Sequence, residues 1–183
     1  MPAPPHIRLV PPNAALLPAY AAALERGWSP STTRDVSGEQ LAALRADPRA
    51  FVDDLTSQEG FVTLGDGRRV PRLPNRLFWI TDGDFAGSIN LRFQRGTEEL
   101  PPHCSGHVGY GIVPWKRRRG YATRALALLL PIAHAEGLAR VLVTCDDGNA
   151  ASRKVIEANG GAFAGTAPDP VTGVTKLLFW ITL

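Results

Sequence analysis

Four basic residues in a row, Lys116 to Arg119, are followed at once by a glycine and the start of a predicted helix. The first turn of a helix has free N–H groups and carries the positive end of the helix dipole, so it attracts anions. Gly120 has no side chain that would block a ligand, and the small Ala122 keeps the first turn accessible. The segment therefore predicts a binding site for a diphosphate, although a solvated basic turn with a capping glycine has the same pattern.

A second group of polar side chains follows the strand predicted at residues 140–145. Asn149 and Ser152 place an amide and a hydroxyl beyond the carboxyl end of this strand, where open α/β sheets bind ligands. Asparagine is also favoured at the residue that precedes a helix, where its side chain caps the first N–H groups. A ligand contact and a helix cap are therefore both open for Asn149.

The elements that must position these residues follow from hydrophobic periodicity and turn signals. Strands are predicted at residues 7–10, 76–81, 85–93, 107–113, 140–145, near 162 and at 175–182. Helices are predicted at 14–26, 39–55 with a break near 48, 120–136 and 150–158, and residues 57–74 form a loop or hairpin. The apolar run at 140–145 is typical of a parallel strand buried on both faces. The order of the elements predicts one α+β domain over residues 1–183.

Composition limits the class of protein. The chain has 183 residues, of which 44% are hydrophobic and 20% charged, enough for one core-forming domain. The longest apolar run, at 125–133, is far shorter than the roughly 20 residues of a membrane span. The start of the chain lacks a secretion pattern, so a cytoplasmic protein is expected. A net charge of +3 does not suit a general nucleic-acid binder, and two distant cysteines predict no zinc or other metal site.

Both segments together, GHVGYGIVPWKRRRGYA at 106–122 and TCDDGNAASRKVIEANGG at 144–161, resemble the GNAT superfamily of N-acetyltransferases. The resemblance covers about residues 85–161. It implies a mixed central sheet with antiparallel N-terminal strands and a parallel splayed pair flanked by helices. It also implies acetyl-CoA as cosubstrate, and it leaves a homodimer open. The cofactor-binding residues that it implies are Ile112, Val113, Arg117, Arg118, Arg119, Gly120, Tyr121, Ala122, Thr123, Asn149 and Ser152.

The same resemblance suggests a general base. In this family an amine attacks the thioester directly, and many members carry a glutamate base at the position that matches His107. An imidazole with the ordinary pKa near 6.5 is a competent base at neutral pH, and strand alternation puts Gly109 and Gly111 on its face, leaving room for a ligand. A structural histidine would have the same sequence signature. The alternative bases are Glu98, Glu99 and Asp146.

The proton donor to the leaving thiolate is less well defined. The family's usual donor is a tyrosine in the last helix, and the matching position here is Ile156. Tyr110, Tyr121 or water would then have to supply the proton. Tyr110 and His107 are the catalytic residues that the sequence predicts.

These observations predict an acetyl-CoA-dependent N-acetyltransferase that acts on a primary amine of a small molecule or peptide, without a nucleic-acid or membrane partner. Two other functions fit parts of the sequence. An inactive CoA-binding sensor would explain isoleucine at position 156. A nucleic-acid-binding module would use Arg117–Arg119 together with Arg124, and its binding would depend steeply on salt.

Overall fold

A computed structural model describes residues 6–64 and 66–183. Its helices are α1 Leu17–Glu25, α2 Ser37–Ala46, α3 Pro48–Thr56, α4 Tyr121–Ala135 and α5 Ala150–Glu157. Its strands are β1 Arg8–Val10, β2 Phe61–Thr63, β3 Arg69–Pro71, β4 Asn75–Thr81, β5 Phe85–Arg92, β6 Val108–Ile112, β7 Arg140–Asp146, β8 Ala162–Pro168 and β9 Thr175–Thr182. The segment predicted as loop or hairpin is the β2–β3 hairpin, of which Gly65 lies outside the described residues.

The chain divides into two compact units. Among the described residues, the first unit comprises 6–57, 76–90 and 110–125, and the second comprises 58–64, 66–75, 91–109 and 126–183. The strands β5 and β6 and the helix α4 each contribute residues to both units. A single domain over residues 1–183 stays a prediction.

The core of the first unit is aromatic. Tyr20 of α1 stacks on Trp79 of β4 with ring centroids 4.7 Å apart, and Phe85 of β5 meets both rings edge-on. The helix predicted over 39–55 is broken at Asp47, whose carboxylate accepts the backbone N–H groups of Arg49 and Ala50 and so caps α3. This aromatic cluster packs α1 against β4 and β5.

Seven strands form one mixed sheet in the order β1-β4-β5-β6-β7-β9-β8. β6 and β7 run parallel and pair at Val108 and Val143, whereas β7 and β9 pair antiparallel along the whole of β7. A sheet of mixed direction with helices between its later strands confirms the predicted α+β class and the parallel pair.

One face of α4 is buried in the second unit. Leu126, Leu129 and Ala133 of α4 are fully buried, as their helical spacing predicts. The prediction that β7 is buried on both faces is wrong, because Val141 and Val143 are fully buried while the alternate residues are half-buried or, at Arg140, exposed. β7 therefore has one core face and one partly covered face, which the mixed sheet accounts for. Among residues 6–64 and 66–183, no helix is long and apolar enough to cross a membrane.

Candidate functional site

The basic segment forms an exposed loop between β6 and α4. After β6, residues Pro114–Lys116 make one 3-10 turn, and residues 117–120 then lie exposed before α4 begins. Arg118 and Gly120 both have left-handed backbone conformations, with φ of 58° and 82°. The N–H of Arg124 donates to the carbonyl of Gly120 at 3.0 Å and closes the first helical turn. We call residues 117–120 the arginine loop.

The arginine loop is built to attract an anion. The backbone N–H groups of the first turn of a helix need acceptors outside that helix, and in α4 this turn begins at Tyr121. The first turn of α4 contains no acidic side chain. Arg117 donates from Nε to the carbonyl of Ile112 at 3.0 Å, so its guanidinium is fixed near the end of β6. The predicted diphosphate residues at 117–123 thus lie together around one positive helix end.

Lys116 is buried, although it directly precedes the three exposed arginines Arg117–Arg119 in the sequence. Its ammonium is buried and donates to Asp82 Oδ1 at 2.7 Å, while the hydroxyl of Tyr121 donates to Asp82 Oδ2 at 2.5 Å. Partial burial acts to raise the pKa of Asp82, but the hydrogen bonds from Lys116 and Tyr121 outweigh it and lower the value to about 2. The sequence analysis missed Asp82, since it lies 34 positions from Lys116 and carries no signal beyond that of a turn.

Part of the backbone at the end of β6 is already hydrogen-bonded within the protein. The N–H of Val113 donates to the carbonyl of Ala86 at 3.0 Å, so it is not free to bind a thioester oxygen. Successive amides of a strand point to opposite sides, so the N–H of Ile112 faces away from this bond. β5 and β6 come unusually close at this level, because a Cβ on Gly87 would lie 2.1 Å from the carbonyl oxygen of Gly111.

His107 lies in the second unit and is completely buried. The backbone N–H of Leu142 donates to its Nδ1 at 2.9 Å, so the neutral ring carries its proton on Nε2. Burial has the largest effect and lowers the pKa of His107 to about 4, and the positive charge of Arg92 acts in the same direction. With one nitrogen accepting and the other protonated, the imidazole has no lone pair with which to accept a proton from a substrate. The geometry therefore favours the structural interpretation of His107.

The other predicted bases are in different situations. Asp146, at the end of β7, accepts from Lys176 Nζ at 2.5 Å. Glu98 is half-buried and accepts a long hydrogen bond, 3.4 Å, from the N–H of Ala139, whereas Glu99 is exposed. None of these contacts assigns a base.

Asn149 caps α5 in the second unit, and Ser152 lies in the first turn of that helix. The Oδ1 atom of Asn149 accepts the backbone N–H of Ser152 at 3.0 Å, which confirms the predicted N-cap. A contact of either residue with a cofactor stays a prediction.

The positions of the candidate proton donors differ sharply. Ile156 is fully buried and its Cγ2 would be 2.4 Å from a Cβ on Gly161, so it belongs to the core. The Tyr121 hydroxyl is held by Asp82, and burial and that carboxylate raise its pKa. Tyr110 is half-buried on β6.

Cys104 and Cys145 are both free thiols.

Comparison with known families gives one match that covers most of this chain. The model described as "Acetyltransferase (GNAT) domain" matches residues 39–162, which include the arginine loop and α5. No curated protein sequence matches the chain.

Solved structures share the fold at low sequence identity. The microcin C7 self-immunity acetyltransferase MccE, in complex with acetyl-CoA and AMP, is 10% identical with a TM-score of 0.64, over 97% of this chain and 92% of that one. RimL, a ribosomal L7/L12 α-N-protein acetyltransferase bound to coenzyme A, is 15% identical with a TM-score of 0.64, over 100% and 97%. RimJ of Mycobacterium smegmatis is 22% identical with a TM-score of 0.58, over 96% and 81%.

Proposed function

This chain belongs to the GNAT acetyltransferase family, and from that membership we propose that it transfers the acetyl group of acetyl-CoA to a primary amine of a small molecule or peptide. The observation that carries the proposal is the arginine loop. Three exposed arginines directly precede the N-terminus of α4, which carries the positive end of the helix dipole, and a diphosphate is the part of acetyl-CoA that such a site binds.

The reaction needs no covalent intermediate on the protein. The neutral amine attacks the thioester carbonyl carbon, a C–N bond forms, and the C–S bond then breaks to release the CoA thiolate. Negative charge builds on the carbonyl oxygen during the attack, and a backbone N–H aimed at it contributes about 3 kcal/mol of stabilisation. The N–H of Ile112 is the candidate donor, because that of Val113 is bonded to Ala86.

Two protons must move, one from the amine and one to the thiolate. Since His107 is buried and neutral with its lone pair in use, we assign the first transfer to water rather than to the imidazole. Of the two tyrosines that the sequence suggested for the second transfer, Tyr121 is held by Asp82. Tyr110 is therefore the proposed proton donor.

The described substrates of two structural neighbours suggest which class of amine to test first as acceptor. RimL is described as an α-N-protein acetyltransferase, and a related enzyme of Salmonella typhimurium is described as modifying the N-terminal serine of ribosomal protein L7/L12. An N-terminal α-amine also has an ordinary pKa near 8, far below the value of about 10.4 for lysine, so more of it is neutral at pH 7. We therefore place peptide N-termini first in the acceptor screen and small-molecule amines second.

The test is titration calorimetry with acetyl-CoA on the protein and on Gly120→Val. Valine at a φ of 82° strains the start of α4 and brings a branched side chain to the anion site, so we expect affinity to fall at least about tenfold. Gly137→Val is the matched control, since Gly137 has a φ of 91° at the other end of α4 and open space around it. Equal affinities for the two variants would remove the arginine loop from the site.

Turnover separates the enzyme from the alternatives. Release of CoA in the presence of a peptide amine, followed by mass spectrometry of the acetylated product, supports the transferase. Tight acetyl-CoA binding with no product across the amine panel would favour the CoA-binding sensor. Salt-dependent binding of DNA or RNA without acetyl-CoA binding would favour the nucleic-acid module.

A further inference from the structure

One carboxylate holds both ends of the arginine loop. Asp82 lies in the turn between β4 and β5, and its two oxygens accept from different partners. Oδ1 accepts from Lys116, the residue just before the loop, and Oδ2 accepts from Tyr121, the residue just after it. The four loop residues are therefore bracketed by two hydrogen bonds to one side chain.

This anchor is sheltered, whereas the loop it brackets is exposed. The side chains of Lys116 and Asp82 are 11% and 27% exposed. A buried ammonium is costly unless it is paired, so the inward position of Lys116 depends on a nearby carboxylate. Asp84 is 3.8 Å from the same ammonium, but it is 65% exposed and makes the longer of the two ion pairs.

The loop conformation needs fixed ends. Arg118 has a φ of 58°, a left-handed value that a residue with a Cβ rarely adopts unless its surroundings impose it. The hydrogen bond from Arg117 to Ile112 restrains the first loop residue, but none of the hydrogen bonds described above restrains the Arg118 or Arg119 side chain. Lys116 and Tyr121 thus set the positions between which the chain must make this turn.

We propose that Asp82 is a positioning residue for the diphosphate site: by holding Lys116 and Tyr121 it fixes the arginine loop in the conformation that receives acetyl-CoA. This inference rests on the proposed function for its ligand. Asp82 itself contributes no attraction, because its negative charge opposes an anion.

Because Asp82 is negatively charged, electrostatics and positioning predict opposite effects of its removal on the affinity for acetyl-CoA. Asp82→Asn removes one negative charge from beside the anion site, so electrostatics alone predicts tighter acetyl-CoA binding. Loss of positioning predicts weaker binding, and we expect the Kd from calorimetry to rise about tenfold, which corresponds to about 1.4 kcal/mol. Unchanged or tighter binding would overturn the proposal.

Two further variants isolate the cause. Asp84→Asn removes the same charge from the same turn but leaves both hydrogen bonds to Asp82 in place, so its Kd should equal that of the unmodified protein or be slightly lower. Tyr121→Phe removes one of the two hydrogen bonds without any change of charge, and its Kd should rise about threefold. This variant keeps the proposal testable if Asp82→Asn does not fold, which a thermal unfolding curve would show.

A readout without cofactor separates this inference from the proposed function. Trypsin cleaves after arginine, and the exposed Arg117–Arg119 run gives it three sites in the loop itself. Cleavage of a native protein follows local opening, so Asp82→Asn should be cut at these sites several times faster, with Asp84→Asn unchanged. Equal rates would overturn the anchoring role. Faster cutting in a protein that binds no acetyl-CoA would leave the anchor standing and overturn the proposed function.

Discussion

The two ends of β6 use polar side chains in opposite ways. His107, just before the strand, is buried, accepts a hydrogen bond from Leu142 and has its pKa lowered to about 4. Arg117–Arg119, a few residues beyond the strand, are exposed around the first turn of α4. Burial without a partner of opposite charge disfavours the charged form of a titratable group, whereas exposure at a helix N-terminus keeps charge available for a ligand. A basic side chain near the end of a strand is therefore informative about function only when its burial is known.

Gly87→Ala has the largest expected effect, because it disturbs the close approach of β5 to the exposed end of β6. The new Cβ would lie 2.1 Å from the carbonyl oxygen of Gly111, at a φ of 148° that L side chains rarely adopt. We expect the free energy of unfolding in urea to fall by about 4 kcal/mol. Gly148→Ala, whose methyl group meets open space, should change it by less than about 1 kcal/mol. Similar losses for both variants would contradict the close approach of β5 and β6.

His107, at the buried end of β6, should make the stability of the protein depend on pH. Because the folded pKa of His107 is about 4 and its unfolded value about 6.5, the unfolded state binds more protons between these values. The free energy of unfolding is therefore unaffected by the titration of His107 above pH 6.5. It falls by about 3 kcal/mol as the pH falls from 6.5 towards 4.

His107→Asn should flatten this dependence, since the amide oxygen can accept from Leu142 but the side chain does not titrate. The measurement is the free energy of unfolding in urea at pH 7, 5.5 and 4. His134→Asn, at an exposed position on α4, should keep the slope of the unmodified protein. An equal slope in His107→Asn would show that another group causes the dependence.

Substitutions in the arginine loop, which follows the exposed end of β6, should have the smallest effect on stability. Arg118 has a φ of 58°, so Arg118→Gly relieves strain that offsets the extra freedom glycine gives the unfolded chain. Arg119→Gly removes the same charge without that relief. We expect Arg118→Gly to be the more stable of the two by about 1 kcal/mol in urea unfolding, while both bind acetyl-CoA about threefold more weakly. Equal stabilities would argue against strain at Arg118.

Most helices and strands could be predicted because their signals are local. The apolar spacing of α4, the cap at Asn149 and the glycine that precedes Tyr121 all lie within one or two turns of the elements they define. The break between α2 and α3 is equally local, since Asp47 caps the helix that Pro48 begins. These parts of the fold agree with the sequence analysis to within a few residues.

The contacts of the candidate site were harder to predict because they join distant positions. Lys116 bonds to a residue 34 positions away, and Leu142 donates to a histidine 35 positions away. Nothing in the immediate sequence of Lys116 distinguishes it from the arginines that follow. Likewise, nothing beside His107 indicates that a strand amide would occupy its Nδ1 atom.

The sequence by itself determined the α+β class, the order of the elements, the basic helix start and the resemblance to an acetyltransferase family, because each depends on neighbouring residues or on a linear motif. The tertiary structure alone decided which of the polar residues are free to act. It turned Lys116 and Tyr121 towards Asp82, left Arg117–Arg119 exposed and buried His107. The physical reason is that burial and pairing depend on the packing of strands far apart in sequence, and these two factors set the charge of a side chain.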